Sequence, residues 1–116
     1  MTDKIEDLKA QIRKFRDDRD WKQFHVPKDM AISIAIEASE LLEEFQWKDA
    51  AGVDKKIKED LPRIEDEMAD IYIYLLELSD ILHVDLIEAA KKKMAKNAIK
   101  YPVEKARSNS KKYTEL

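Results

Sequence analysis

Two apolar segments of the sequence each carry a pair of acidic residues three positions apart, Glu37 with Glu40 and Glu67 with Asp70. Residues at this spacing share one face of a helix. Apolar neighbours flank each pair, so the four carboxylates cannot all point at water. Crowded ionised carboxylates in a partly dry interior must be neutralised by a proton, a basic side chain or a cation. Neither stripe contains Lys, Arg or His, so a divalent metal site is the first hypothesis.

The expected fold class follows from composition. A single Gly and three Pro among 116 residues, with abundant helix formers, favour long helices and few tight turns. We therefore expect an all-α fold, a helical bundle of four main helices in which the two acid-bearing helices are antiparallel. Helices of this length cannot cover both of their apolar faces within one chain, so we also expect a homo-oligomer.

Local signals give the expected limits of the helices and domains. We expect helices from about residue 3 to Arg19 with Thr2 as N-cap, from Pro27 to Trp47, from Pro62 to Leu82, and from an Asp85 N-cap to Lys100, with a break at Gly52 and a short helical turn around residues 54–59. Residues 1–102 are assigned to the helical domain. Residues 103–116 form a basic C-terminal tail, which composition alone predicts to be disordered.

Charge is divided unevenly along the chain. Residues 1–90 hold 13 Lys and Arg against 23 Asp and Glu, whereas residues 91–112 hold nine against one acid. An acidic body with a basic end suits an anion that carries a metal, such as a nucleotide phosphate, although a solvated helix face is the alternative. Nucleic acid is disfavoured, since no groove-reading motif is present. No stretch approaches membrane-spanning length, so we expect a cytoplasmic protein without a membrane partner.

The chemistry of the four acids narrows the choice of metal. Oxygen ligands alone suit a hard cation, Mg²⁺ with Mn²⁺ as a possible substitute. Di-iron bundles place a His three residues after a Glu, and the chain contains no such motif. Acids at a wet end of the bundle or at an oligomer interface are the alternative to a metal site. Glu65 and Glu77, on the same apolar segment, are interpreted as surface acids.

The acidic pairs belong to a longer series of motifs. The chain also contains Arg-Asp-Trp-Lys-Gln-Phe-His (19–25), Glu-Leu-Leu-Glu-Glu-Phe-Gln-Trp (40–47), Asp-Ile-Tyr-Ile-Tyr-Leu (70–75), His-Val-Asp-Leu (83–86), Lys-Tyr-Pro-Val (100–103) and Lys-Tyr-Thr-Glu-Leu (112–116). Together these segments resemble the MazG-like all-α nucleoside triphosphate pyrophosphohydrolases, in the branch that contains dCTP pyrophosphatases. Ile36 stands where many relatives carry a second Glu, which leaves the number of metal ions open.

The resemblance implies a Mg²⁺-dependent enzyme that hydrolyses a nucleoside triphosphate, dCTP or a related pyrimidine nucleotide, to the monophosphate and pyrophosphate. Glu37, Glu40, Glu67 and Asp70 would be the metal ligands, with Glu40 also the general base. Base and sugar would contact Trp21, His25, Trp47 and Tyr74, and Lys22, Gln23 and Phe24 would shape the wall. Lys93, Asn97, Lys100 and Tyr101 are candidates for phosphate binding.

Several alternatives stay open. The aromatic residues at helix ends are as often core residues as ligand contacts, and exposed lysines need no ligand. The same fold acting on dUTP or phosphoribosyl-ATP is one alternative function. A non-catalytic helical module that binds Mg²⁺–nucleotide is another. Family likeness implies a homodimer or a homotetramer.

Overall fold

The computed structural model describes residues 3–116, and every regular element in this range is helical. A first compact unit ends at His83 and a second spans Val84–Leu116. The helices are α1 (Lys4–Asp18), α2 (Pro27–Glu43), α3 (Ala50–Ile81), α4 (Leu86–Lys100) and α5 (Val103–Ala106), followed by a 3₁₀ turn at Tyr113–Glu115. The expected all-α class is confirmed. None of the helices described is long and apolar enough to cross a membrane.

The N-cap of α1 lies one residue later in the sequence than expected. Asp3 is the N-cap, and its carboxylate accepts a hydrogen bond of 2.9 Å from the backbone N–H of Ile5; the expected cap, Thr2, lies outside the described residues. After α1 ends, Asp20 adopts φ 55°. Aspartate tolerates this left-handed conformation better than most residues, so the chain can turn sharply into the aromatic loop that leads to α2.

The α2 helix starts at Pro27 as expected but ends before Trp47. Pro suits the first helical turn because the N–H it lacks would have no partner there. At the other end, the backbone N–H groups of Glu44, Phe45 and Gln46 bond to carbonyls three residues back rather than four. This tightening ends the helix at Glu43, and Trp47 then takes φ 67°.

The start of α3 differs from the expectation at Gly52 and Pro62. Asp49 is the N-cap and accepts a hydrogen bond of 2.8 Å from the N–H of Gly52, which therefore lies in the first turn of a helix rather than in a break. Pro62 lies inside the helix. Because its ring removes one backbone hydrogen bond and crowds the preceding turn, Asp60 departs to φ −140° and ψ 33°, and the helix is kinked there.

The core of the first unit is small. Helix α3 packs against both α2 and α1, and the buried apolar side chains are Ile12, Met30, Ile64 and Leu76. Glu44 at the end of α2 is also buried, and its carboxylate binds Lys56 at 2.9 Å and Arg63 at 3.0 Å. The hydrogen bond from Lys56 and the charge of Arg63 hold the pKa of Glu44 below its usual range.

The second unit contains α4 and the basic tail. Asp85 caps α4 as expected, accepting a hydrogen bond of 3.1 Å from the N–H of Glu88. The tail is not disordered in the structure. The rings of Tyr101 and Tyr113 meet edge to face with centroids 6.0 Å apart, and the ammonium of Lys100 lies 4.8 Å from the centroid of Tyr113. These aromatic contacts fold the tail back onto the end of α4, which composition could not indicate.

Candidate active site

The four motif acids meet between α2 and α3. Glu37 and Glu40 lie one helical turn apart on α2, and Glu67 and Asp70 do so on α3. One carboxylate oxygen from each lies within 4.8 Å of the others. Three of the side chains are half-buried and Asp70 is exposed. The expectation that the two pairs converge is therefore met by the geometry.

The cluster is electrostatically costly on its own. Burial, together with the nearby Glu40, Asp70 and Glu67 carboxylates, raises the pKa of Glu37 to about 7. The pKa of Glu67 is raised for the same reasons, burial first and then Glu40. Glu40 is the neighbouring acid that raises the pKa values of Glu37 and Glu67 most, so it is the central carboxylate of the four.

The donor set fits a hard divalent cation. The Oε2 atoms of Glu37 and Glu67 are buried without a hydrogen-bond partner among the residues described, although buried carboxylate oxygens normally have one. Within residues 3–116, no ion pair joins any of the four acids to Lys, Arg or His. Clustered oxygen ligands without nitrogen or sulfur suit Mg²⁺ or Mn²⁺.

A cavity of about 460 Å³ opens beside Asp70 in the first unit. Its walls come from α1, from the loop between α1 and α2, and from α3. The aromatic part of the lining is Phe15, Trp21 and Tyr74, and the polar part includes Gln11, Arg16, His25 and Glu77. Small-molecule sites are usually apolar clefts of this size with a few polar groups. An acid cluster at the edge of such a cleft can hold a metal-bound anion while the cleft holds its organic part.

The aromatic loop is held in place by its own backbone. The N–H of Trp21 donates to the carbonyl of Arg16 at 3.0 Å, and the N–H of His25 donates to the carbonyls of Trp21 and Lys22 at 3.2 Å each. The Trp21 ring also packs edge to face on Phe15, with centroids 5.8 Å apart. These contacts direct one tryptophan and one histidine at the cavity.

Only part of the expected substrate-binding set lies at this cavity. Trp21, His25 and Tyr74 line it, and burial followed by the charge of Glu37 raises the pKa of the Tyr74 hydroxyl. Lys22, Gln23 and Phe24 are exposed loop residues that do not belong to its lining. Trp47 is 93% exposed, so it is neither a core residue of the chain nor part of this cavity.

The candidate phosphate-binding residues belong to the second unit. Lys93 and Lys100 lie on α4 close enough that the charge of Lys100 lowers the pKa of Lys93, with Lys96 adding to the effect. Asn97 lies between them, and its carbonyl accepts a 2.8 Å hydrogen bond from the N–H of Tyr101. The helix therefore presents a local concentration of positive charge.

Glu77 contradicts its interpretation as a surface acid. It is only 4% exposed, its Oε1 lies 2.5 Å from Nδ1 of His25, and it lines the cavity. Glu65 is exposed, as expected. The spacing did carry a signal for Glu77, since it follows Asp70 by seven residues and so lies two turns along the same helix face. Arg16 and Gln11 gave no comparable signal, because they occur on an ordinary amphipathic helix.

Comparisons with known proteins agree with this geometry. The model of the MazG-like family matches residues 32–116. dCTP pyrophosphatase 1 of Rattus norvegicus is 37% identical over 114 residues, which cover 97% of this chain and 67% of the relative. The protein of the same name from Homo sapiens is 38% identical with the same coverage. This chain belongs to the MazG-like family.

A solved structure extends the agreement to the fold. The crystal structure of a pyrophosphatase from Archaeoglobus fulgidus superposes with a TM-score of 0.84 at 43% sequence identity, covering 88% of this chain and 95% of that one. The family and the enzyme class predicted from the sequence, a pyrophosphohydrolase, are confirmed. The divalent metals on which MazG-like pyrophosphatases generally depend fit the acid cluster.

We predict that the metal-free protein loses stability as the pH rises from about 4.5 to about 7. Folded Glu37 keeps its proton up to about pH 7, whereas the unfolded chain releases it near the ordinary value of 4.5. The unfolded state therefore binds fewer protons in this window, and the free energy of unfolding falls with pH. Melting temperatures in EDTA at the two ends of the window measure the effect.

The variant Glu37→Gln should reduce this dependence, because the raised pKa is removed. Glu43→Gln is the matched control, since Glu43 is an exposed acid on the same helix, and it should melt like the wild type at both pH values. Equal melting temperatures for the metal-free wild type across the window would contradict the prediction.

Proposed function

We propose that the protein hydrolyses a (deoxy)nucleoside triphosphate, with dCTP as first candidate, to the monophosphate and pyrophosphate in a Mg²⁺-dependent reaction. The acid cluster at the edge of an aromatic cavity carries the proposal. The names of the relatives from Rattus norvegicus and Homo sapiens support dCTP. Such an activity would remove unwanted nucleotides from the pool, and we propose a cytoplasmic location because nucleotide pools are found there.

Glu37, Glu40, Glu67 and Asp70 are the proposed ligands of Mg²⁺, with Mn²⁺ as a possible substitute. The two buried oxygens without hydrogen-bond partners, on Glu37 and Glu67, support this assignment. When bound, the cation neutralises phosphate charge, orients a water molecule and offsets charge that develops in the transition state. The carboxylates themselves are held in register by their one-turn spacing on two packed helices.

Glu40 is the proposed general base. It is the acid that most affects both Glu37 and Glu67, so it lies where a carboxylate oxygen can face a water molecule between the two pairs. In the reaction Glu40 accepts a proton from that water. The oxygen of that water forms a bond to one phosphorus of the α–β bridge while the bond from that phosphorus to the bridging oxygen breaks, and the monophosphate and pyrophosphate separate.

The cavity is the proposed site for base and sugar. Trp21 and Tyr74 offer rings for stacking, and stacking on an aromatic ring is tolerant of base identity. Polar contacts must then provide the discrimination, and His25 is the proposed one. Lys22, Gln23 and Phe24 are proposed to shape the rim. Their loop is tied to α3 at the cavity through the contact between His25 and Glu77.

The cationic group on α4 is proposed to bind the phosphates. Lys93, Asn97, Lys100 and Tyr101 occupy successive turns, and the charges of Lys100 and Lys96 lower the pKa of Lys93, which supports a local excess of positive charge. An anion relieves that repulsion. We assign the residues up to 102 to the catalytic domain and residues 103–116 to a basic tail.

We infer that α2 and α3 run antiparallel and that the enzyme is a homo-oligomer, either a dimer or a tetramer. Glu44, late in α2, pairs with Arg63, early in α3, whereas His25, just before α2, pairs with Glu77, late in α3. The same helices expose large apolar side chains, among them Ile36 (54%), Leu42 (70%) and Met68 (56%). Apolar surface of this extent is typical of interfaces.

A non-catalytic module that binds Mg²⁺–nucleotide is the alternative from another class, and the same fold acting on dUTP or phosphoribosyl-ATP is the alternative within the enzyme class. Release of pyrophosphate separates these hypotheses. A regulatory module would bind nucleotide and release nothing. A panel of dCTP, dUTP, dATP and phosphoribosyl-ATP, assayed with and without Mg²⁺, identifies the substrate.

We predict that Glu40→Gln abolishes pyrophosphate release from dCTP while the melting temperature in EDTA stays unchanged or rises. Removing one of four like charges relieves their repulsion in the metal-free protein. Glu43→Gln, on the exposed part of the same helix, should retain full activity. A Glu40→Gln protein that unfolds would instead indicate a structural role for this acid.

The second prediction concerns assembly. Light scattering at micromolar concentration should give at least a dimer, and Met68→Glu, which places a charge on the exposed apolar face of α3, should shift the mass toward the monomer. Ala51→Glu adds the same charge at an exposed position in the first turn of α3 and should leave the mass unchanged. A wild-type monomer would refute the proposed oligomer.

The third prediction concerns Trp47. Because its side chain is 93% exposed, Trp47→Ala should leave the stability of each chain unaffected, but it should weaken the preference for dCTP if this ring contacts base. Trp21→Ala should lower the melting temperature, since Trp21 packs on Phe15. If Trp47→Ala slows all nucleotides equally, its proposed contact with the base is wrong.

A further inference from the structure

A hydrogen bond between the buried carboxylate of Glu77 and the partly buried ring of His25 lies in the cavity wall, and Glu77 has no role in the assignments above. Glu77 lies on α3, and His25 lies 52 positions earlier, at the end of the aromatic loop. Burying a carboxylate is costly unless it is paired and hydrogen-bonded. A stable core at this position would be obtained more simply with an apolar residue, so the pair calls for a functional explanation.

The charges around Glu77 define its hydrogen-bonding role. Arg16 is buried in the same wall, and its pKa is raised mainly by the hydrogen bond to Asp17 and to a smaller extent by the charges of Glu77 and Asp80. Arginine stays charged at all relevant pH values, and the Glu77 carboxylate beside it lies 2.5 Å from Nδ1 of His25, where it can serve as the acceptor of the pair. An ionised carboxylate can only accept a hydrogen bond. The proton in the pair therefore belongs to Nδ1 of His25.

This proton determines what the other side of the ring can do. In a neutral imidazole one nitrogen is a donor and the other an acceptor. With Nδ1 donating to Glu77, Nε2 is left as an acceptor, and no group within residues 3–116 forms a hydrogen bond with it. The backbone N–H of His25 donates to two carbonyls of its own loop, and the contact of Nδ1 with Glu77 holds the ring in the cavity wall.

We propose, on the basis of the function proposed above, that Glu77 is a positioning residue that holds His25 with Nε2 as an acceptor and so selects a base with an amino group at position 4. Cytosine presents an N–H donor at this position, whereas uracil and thymine present a carbonyl oxygen, which is an acceptor. Two facing acceptors repel and leave a polar group unpaired, which a buried site strongly disfavours.

The tautomer can be measured without any turnover. In protein labelled with ¹⁵N-histidine, long-range ¹H–¹⁵N spectra report which ring nitrogen carries the proton. The only other histidine is His83, and since it has φ 56°, His83→Asn removes its signals with little strain. We expect His25 at pH 8 to be protonated on Nδ1 alone. A ring protonated on Nε2, or on both nitrogens, would overturn the proposal.

Ligand binding gives a second test of whether Nε2 of His25 is a hydrogen-bond acceptor. Addition of dCMP to the labelled protein should shift the Nε2 resonance of His25, because that nitrogen gains a hydrogen bond, whereas dUMP at equal occupancy should shift it much less. An equal response to both nucleotides would overturn the proposal. Neither spectrum depends on catalysis, so a wild type that releases no pyrophosphate would refute the proposed function and leave this test intact.

Kinetics complete the test. Glu77→Gln supplies an amide that can either donate to or accept from Nδ1, so the tautomer is no longer fixed. The ratio of kcat/KM for dCTP to that for dUTP should fall about five- to tenfold, as expected for the loss of one hydrogen bond's discrimination. Glu59→Gln, an exposed acid on the same helix, should leave the ratio unchanged. An unchanged ratio in a folded Glu77→Gln protein would overturn the proposal.

A merely structural role is separated by a double-mutant cycle. If Glu77 acts through His25, then Glu77→Gln should have no further effect on the ratio when His25 is already Ala. A structural role would instead lower kcat/KM for both nucleotides together and add to the effect of His25→Ala, which would contradict the assignment of Glu77 as a positioning residue.

Discussion

Repulsion among four carboxylates at the α2–α3 contact is the constraint on which the rest of the structure depends. Their ligand oxygens lie within 4.8 Å of one another, and the raised pKa values of Glu37 and Glu67 are the measure of the cost. The two helices stay packed because contacts elsewhere along them offset this cost. Glu44 binds Lys56 and Arg63, and the helices also share apolar contacts. A divalent cation held by these carboxylates would neutralise their charge and so relieve the repulsion.

The cavity beside the acids depends on a different set of contacts. The α1 helix and the aromatic loop are tied to α3 through Arg13 with Asp80 at 3.3 Å and through His25 with Glu77. Both ties involve an acid near the C-terminal end of α3, with Glu77 about two turns and Asp80 about three turns beyond Asp70. Helix α3 therefore carries two of the four acids, Glu67 and Asp70, together with part of the cavity wall.

Much of this arrangement could be predicted from the sequence, because it rests on local rules. The acid pairs at one-turn spacing, Pro27 at a helix start and the Asp85 cap each follow from geometry within four residues. The errors arose where two local rules compete. Pro62 predicts a helix start, but the Asp49 cap begins the helix earlier, and the conflict appears as the kink at Asp60. Glu77 was misread because its helix spacing is compatible with either exposure or burial, and only the partner 52 residues away decides between them.

The sequence could not predict the role of residues whose partner is distant in the chain or lies outside it. Trp47 is held at φ 67° and is almost fully exposed, although an isolated tryptophan in water gains nothing from that position. The same holds for the exposed apolar side chains on the neighbouring helices α2 and α3, which are Ile36, Leu42 and Met68. A single copy satisfies the charged contacts of the fold but leaves these apolar groups uncovered. The hydrophobic effect acts on area removed from water regardless of which molecule removes it, so the proposed second copy and the proposed base would each bury apolar area that one chain leaves in water.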